Sequence, residues 1–166
     1  QADAPSESIA VGEGKDTPAY LGDQVSLAPL DQPFQTEVEP NNTAATANAL
    51  TSNDTVLRAY VYPNADVDFF SFTANAGDRV YAATMTSFSS NGSFDSTLSL
   101  IASDGSTVIE TDTDDGSWGS TSSTIAGAVI PSAGTYYLKV THNLTTSQLR
   151  PYHLHVRVQS GSPTAE

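Results

Sequence analysis

The chain has 166 residues, no cysteine, and six Lys plus Arg against 19 Asp plus Glu, for a formal net charge of −13. That length suits one domain with an appendage. The fold cannot rely on disulfides, and the overall charge repels nucleic acid phosphates and anionic membrane surfaces, so neither is an expected partner. No apolar run is long enough to cross a bilayer, so no membrane insertion is expected. The start at Gln1 without a Met reads as a processed, exported product.

Residues 1–35 are polar and acidic and carry Pro5, Pro18, Pro29 and Pro33, which reads as an extended arm. Two short apolar stretches in it, Ser8 to Val11 and Gln24 to Leu30, each suit one added edge strand. After Pro40, the caps Asn41, Asn42 and Thr43 lead into Ala44, Ala45, Ala47, Ala49 and Leu50, which predicts one or two helical turns. Beyond Thr55 short β-branched and aromatic runs alternate with Gly, Pro, Asn and Asp. Strands are expected near 56–62, 68–73, 79–86, 96–102, 107–111, 124–130, 135–141 and 152–158. Period two places Tyr136, Leu138 and Val140, and then Tyr152, Leu154, Val156 and Val158, on core faces. Asp104-Gly105 marks a hairpin, and Ala76-Gly77-Asp78 and Ser132-Ala133-Gly134 mark tight reversals. The expected fold is all-β: an antiparallel two-sheet sandwich, jelly-roll-like, over residues 36–159, with a tail at 160–166.

Oxygen ligands concentrate in Glu37-Val38-Glu39-Pro40-Asn41-Asn42 and Asp66-Val67-Asp68. Residues two apart in an extended segment point the same way, so Glu37 pairs with Glu39 and Asp66 with Asp68. Asp68 also shares parity with Phe70 and Phe72, at the mouth of the core face. Calcium takes six to eight oxygens from carboxylates, amide carbonyls and water, and a cation is the simplest compensation for carboxylates so placed. Spacing alone leaves open an ordinary acidic loop in which Glu39-Pro40-Asn41-Asn42 serves only as turn and cap.

The run Glu37 to Thr43, the run Asp66-Val67-Asp68-Phe69-Phe70-Ser71-Phe72, and Ala76-Gly77-Asp78 resemble the opening half of the bacterial pre-peptidase C-terminal domain. Phe94 to Leu100, Ser103-Asp104-Gly105, Asp112 to Gly116, Ala133 to Val140 and Tyr152 to Val156 follow the same family pattern in order. The resemblance spans about Thr36 to Val158. It implies a β-sandwich appended to exported enzymes and similar to the collagen-binding domains of bacterial collagenases. It also implies calcium held by Glu37, Glu39, Asn41, Asp66 and Asp68, with Asn42 standing where many relatives have Asp.

Other features carry weaker alternatives. Asp112, Asp114 and Asp115 form a second acidic group, read as solvated or as a second metal site. His142, His153 and His155 raise a zinc reading against that of an exposed strand face. Trp118, the single tryptophan, either meets a sugar or protein partner or folds back over the sandwich edge. Asn41, Asn53, Asn91 and Asn143 begin glycosylation sequons. The sequence has no Gly-x-Ser-x-Gly elbow, no His-Glu-x-x-His motif and no Gly-rich phosphate loop, so no enzyme is expected. Clustered carboxylates that hold a cation are also poor general acids. The expected function is a secreted, extracellular module that binds a protein or polysaccharide. The alternatives are a structural subunit of a filament or other assembly joined to copies of itself through the arm, and, ranked last, a pro-region.

Overall fold

The computed structural model describes residues 34–90, 93–116, 118 and 121–161. The expected arm strands at Ser8 to Val11 and Gln24 to Leu30 lie outside them. Ten strands follow in chain order: β1 (Gln35–Thr36), β2 (Asn48–Ala49), β3 (Asp54–Val61), β4 (Val67–Ala74), β5 (Arg79–Met85), β6 (Ser96–Ile101), β7 (Val108–Asp112), β8 (Thr124–Val129), β9 (Gly134–His142) and β10 (Leu149–Gln159). They form two five-stranded sheets, ordered β1-β3-β10-β5-β8 and β2-β4-β9-β6-β7. The eight longer strands pair antiparallel, as the turn signals between them require. The two short ones pair parallel, β1 with β3 and β2 with β4, which makes both sheets mixed.

Alternation puts one face of each sheet into a shared core. Leu57, Phe70, Leu98, Leu100, Leu138 and Leu154 are fully buried there, together with Tyr136 and Tyr152. Each such leucine contributes about 1.5–3 kcal/mol through removal from water. Pro151, which has no N–H to donate, sits at the β10 irregularity where the register with β3 shifts between Leu149 and Tyr152. Gly127 is skipped where the β5 register on β8 shifts between Val80 and Tyr81, and its φ is +88°. A Cβ there would also come within 3.2 Å of the Tyr81 hydroxyl oxygen, so both backbone and space favour glycine. The Asp104-Gly105 hairpin forms, with Gly105 at φ +75°. The Asp104 carboxylate accepts from the backbone N–H groups of Ser106 and Thr107, each at 2.8 Å, and from the Thr107 hydroxyl at 2.5 Å. Those bonds, the Thr107 hydroxyl's first, hold its pKa down at about 2.

The stretch expected to be helical is shorter than the composition suggests. Only Ala44–Thr46 forms a single 3-10 turn, closed by the Thr43 N–H donating to the Thr46 hydroxyl at 3.2 Å. Tertiary bonds claim the residues beyond that turn. Asn48 accepts from the Val38 N–H at 2.6 Å and donates to the Val38 carbonyl at 2.9 Å, while the Leu50 N–H donates to Ser71 at 2.8 Å. This draws residues 48–50 alongside β4. Gln35, assigned to the arm from sequence, is a strand residue whose amide donates to Ala49 and accepts from Thr51. The compact unit accordingly starts at Phe34.

Candidate functional site

The linker after β1 and the turn before β4 converge at one end of the sandwich. β1 pairs with β3 in parallel, so Glu37 continues along the edge of that sheet, where its Oε1 accepts the Tyr60 N–H at 2.6 Å. Two residues on, Glu39 Oε2 accepts the Asn41 N–H at 2.8 Å. The Asn41 carbonyl in turn accepts the Phe69 N–H at 2.9 Å, which fastens the linker to β4. Asp68 points inward from β4 with Phe70 and Phe72, is fully buried, and accepts the Tyr152 hydroxyl at 2.6 Å. As a result Glu37, Glu39 and Asp68 each present a carboxylate oxygen within 4.8 Å of the others.

Asp66, also buried, organises the site. Its Oδ1 accepts the Asn42 amide at 2.7 Å and the Val67 N–H at 2.9 Å, and its Oδ2 accepts the Tyr62 N–H at 2.8 Å. Asn42 therefore binds Asp66 rather than joining the three convergent carboxylates. Asn41 is fully buried and neither its side-chain oxygen nor its nitrogen has a partner. Glu37 Oε2 and Asp68 Oδ1 are likewise buried without partners. Such groups are costly in a folded protein unless something satisfies them.

Electrostatics express the same tension. Burial pushes the Glu37 carboxyl up to about 8, against the pull of the Tyr60 N–H and with the Glu39 and Asp66 charges adding to the rise. Burial first, and then the Glu37 charge, raises Asp68 well above the usual carboxylate range. Glu39 is raised as well, by its desolvation and by Asp66. Burial raises the Tyr152 phenol too, so it remains a donor to Asp68. Tyr152 is the participant that sequence reasoning missed. Its parity marked it as core, and nothing in the local sequence marked its hydroxyl as a partner of Asp68. The donor set is oxygen only, as hard divalent cations require, and the orphaned oxygens fit such an ion.

The other candidates resolve differently. Asp112 accepts the Thr124 N–H at 2.6 Å and ties β7 to β8, and Asp114 and Asp115 are exposed, so this trio does not converge on a common point. The three histidines are not gathered. His153 lies between Phe34 and Phe88, each at a ring separation of 4.5 Å, and His155 lies against Trp118 at 4.2 Å. Trp118 thus folds back on the sheet. His142 belongs to the other sheet, where its Nε2 meets the Ser93 hydroxyl and its Nδ1 accepts the Leu144 N–H at 2.8 Å. A ring that accepts at Nδ1 carries its proton on Nε2 when neutral, so it donates to Ser93 and does not activate it.

The two-sheet sandwich with a carboxylate-lined clasp between its linker and its core defines an all-β module. Residues 66–142 match the family described as the bacterial pre-peptidase C-terminal domain, and this stretch of the sandwich belongs to that family. Domains of this family are non-catalytic accessory modules. A probable subtilase-type serine protease of Deinococcus radiodurans is 34% identical over 117 residues, which take in 70% of this chain and 15% of that protein. The chain thus spans a small part of that relative's length. Aeromonas hydrophila PliG, a periplasmic inhibitor of g-type lysozyme, shares the fold at a TM-score of 0.50 and 14% identity, over 76% of this chain and 100% of that one. The pre-peptidase C-terminal domain of a Bacillus anthracis collagenase aligns at a TM-score of 0.48 and 16% identity, over 76% and 99% of the two chains. No helix among the described residues is long and apolar enough to cross a membrane.

Proposed function

We propose that this chain is a secreted, non-catalytic attachment module that binds an extracellular protein or polysaccharide, and that calcium at the linker clasp holds it in its binding-competent form. The observation that carries the calcium reading is the convergence of Glu37, Glu39 and Asp68 oxygens within 4.8 Å, with Glu37 Oε2, Asp68 Oδ1 and the Asn41 amide buried and unpartnered. Three carboxylates in a partly dry site repel one another when ionised. A divalent cation converts that repulsion into attraction and supplies the missing partners. Glu37, Glu39 and Asp68 would be direct ligands, with Asn41 as a further oxygen donor. Asp66 and Asn42 would act beside them, Asp66 adding charge and Asn42 holding its orientation. The accessory character of the family and the periplasmic location of PliG support export and a binding role.

Calorimetric titration of the metal-free chain with calcium tests this reading. Saturable binding is expected in the intact chain, and loss of that binding in Asp68→Ala. No heat in the intact chain would remove the calcium part of the proposal. Retention of the chain on an extracellular polymer is a separate assay for the attachment part.

A further inference from the structure

The chain is strongly acidic, yet its charge is divided unevenly between the two sheets. The strands β1, β3, β5, β8 and β10 hold Arg58, Arg79, Arg150 and Arg157, out of six Lys plus Arg in the whole chain, and also His153 and His155. Asp54 is the one acidic residue on those strands, and it sits opposite Arg157. Alternation sends most of this set to the outer face: Arg58, Arg79 and Arg157 are exposed, while their strand neighbours Leu57, Val80, Val156 and Val158 enter the core.

Aromatic rings share the face. Register places Arg157 beside Tyr81, and His155 beside Ala83. Tyr60 and Tyr81 stand 39% and 38% exposed, with Arg58 over the Tyr60 ring at 5.8 Å. Trp118 closes over His155 to form a groove of about 250 Å³ lined by Val56, Tyr81, Ala83, Trp118, His155 and Arg157. That volume is below the ~300–1,000 Å³ of pockets enclosing a drug-sized molecule, and it suits one ring of a longer ligand.

We infer that this outer face binds an acidic polysaccharide, with Arg58 and Arg157 pairing its carboxylate or sulfate groups and Tyr81 and Trp118 stacking on its sugar rings. The inference rests on the attachment reading above and names its surface and ligand class. Guanidinium forks match carboxylate and sulfate geometry, and aromatic faces match the C–H faces of sugars. Arg58 and Arg157 are four β10 positions apart in register, roughly 13 Å along the strand, so a chain ligand bridges them where a single small anion cannot. The net negative charge does not forbid this, because fields between exposed charges are screened within about 8–10 Å while contact pairs act at closer range. It does disfavour duplex DNA, whose charges fall every ~1.7 Å. The acidic glycans carry theirs more sparsely, about one per sugar in polygalacturonate and about two per sugar in heparin.

The test is binding of the intact 166-residue chain, in calcium, to immobilised heparin, polygalacturonate, dextran and a DNA duplex. Heparin or polygalacturonate should bind and be released by added salt, with dextran and DNA bound at least tenfold more weakly. The R58Q/R157Q double variant should lose about tenfold or more in affinity, as expected when charged hydrogen bonds are removed. Trp118→Ala should weaken binding while leaving the melting temperature in place. The inference is overturned by no binding to either polyanion, by unchanged binding in R58Q/R157Q, or by DNA bound as tightly as the glycans. Retention on dextran that R58Q/R157Q does not alter would overturn it too, while leaving the attachment reading standing.

Discussion

Asp68 concentrates the problem that the clasp solves. It is fully buried, bonded to Tyr152 through one oxygen and left bare at the other. Asp68→Asn keeps an acceptor for the Tyr152 hydroxyl and removes the charge that Glu37 and Glu39 oppose. The variant should therefore melt higher than the native chain in chelator, and should lose most of the upward shift that calcium gives. Glu37 provides a pH signature. Its folded pKa of about 8 lies above the unfolded value of 4.5, so the folded state holds a proton that the unfolded chain releases. That contribution is fully present below about 4.5 and is lost as pH rises through 8. In chelator, the melting temperature should rise as pH is lowered from about 8 to about 6.5, and part of this rise should be lost in Glu37→Gln, with the raised Asp68 and Glu39 carboxyls supplying the rest. At lower pH the three histidines oppose it. Burial lowers the pKa of His142, His153 and His155, so their contribution is present above the ordinary histidine value and is lost as pH falls.

At the scale of elements, the linker is ordered by its own side chains as much as by strand pairing. Asn48 bonds both backbone groups of Val38, and Gln35 bridges Ala49 and Thr51. Asn48→Ala should cost about 1–2 kcal/mol in urea unfolding and weaken calcium affinity, because the linker then closes around the ion less readily. The eight longer strands were legible in the sequence as β-branched and aromatic runs between turn residues, and the last two also by period two, as in Tyr136, Leu138 and Val140. β1 and β2 are two residues each, too short to show any period, and their parallel pairing depends on partners far along the chain. The alanines at 44–49 looked helical because propensity was the only local signal there, and tertiary bonding from Val38 and Ser71 overrode it. The candidate site divides the same way. Glu37, Glu39, Asp66 and Asp68 stood out through spacing and family resemblance. Tyr152 and the arginine face emerge only when β10 is laid between β3 and β5.

For the whole molecule, the core and both sheets draw, among the described residues, on residues from 35 to 159. A chain beginning at Phe34 should fold with the same β-sheet circular dichroism and the same calcium response as the full chain. If residues 1–33 join copies to one another, the shortened chain should sediment as a monomer while the full chain does not. The proposed calcium ligands at the clasp meet only in the folded state. An ion that binds only the folded form stabilises it by mass action, roughly 2.7 kcal/mol at a free concentration 100 times the dissociation constant. The most direct measurement is the thermal midpoint of the intact chain at about pH 7.5, in millimolar calcium and in excess chelator. A midpoint several degrees higher in calcium, with the gap abolished in Asp68→Ala, is the predicted result; equal midpoints in the intact chain would contradict it.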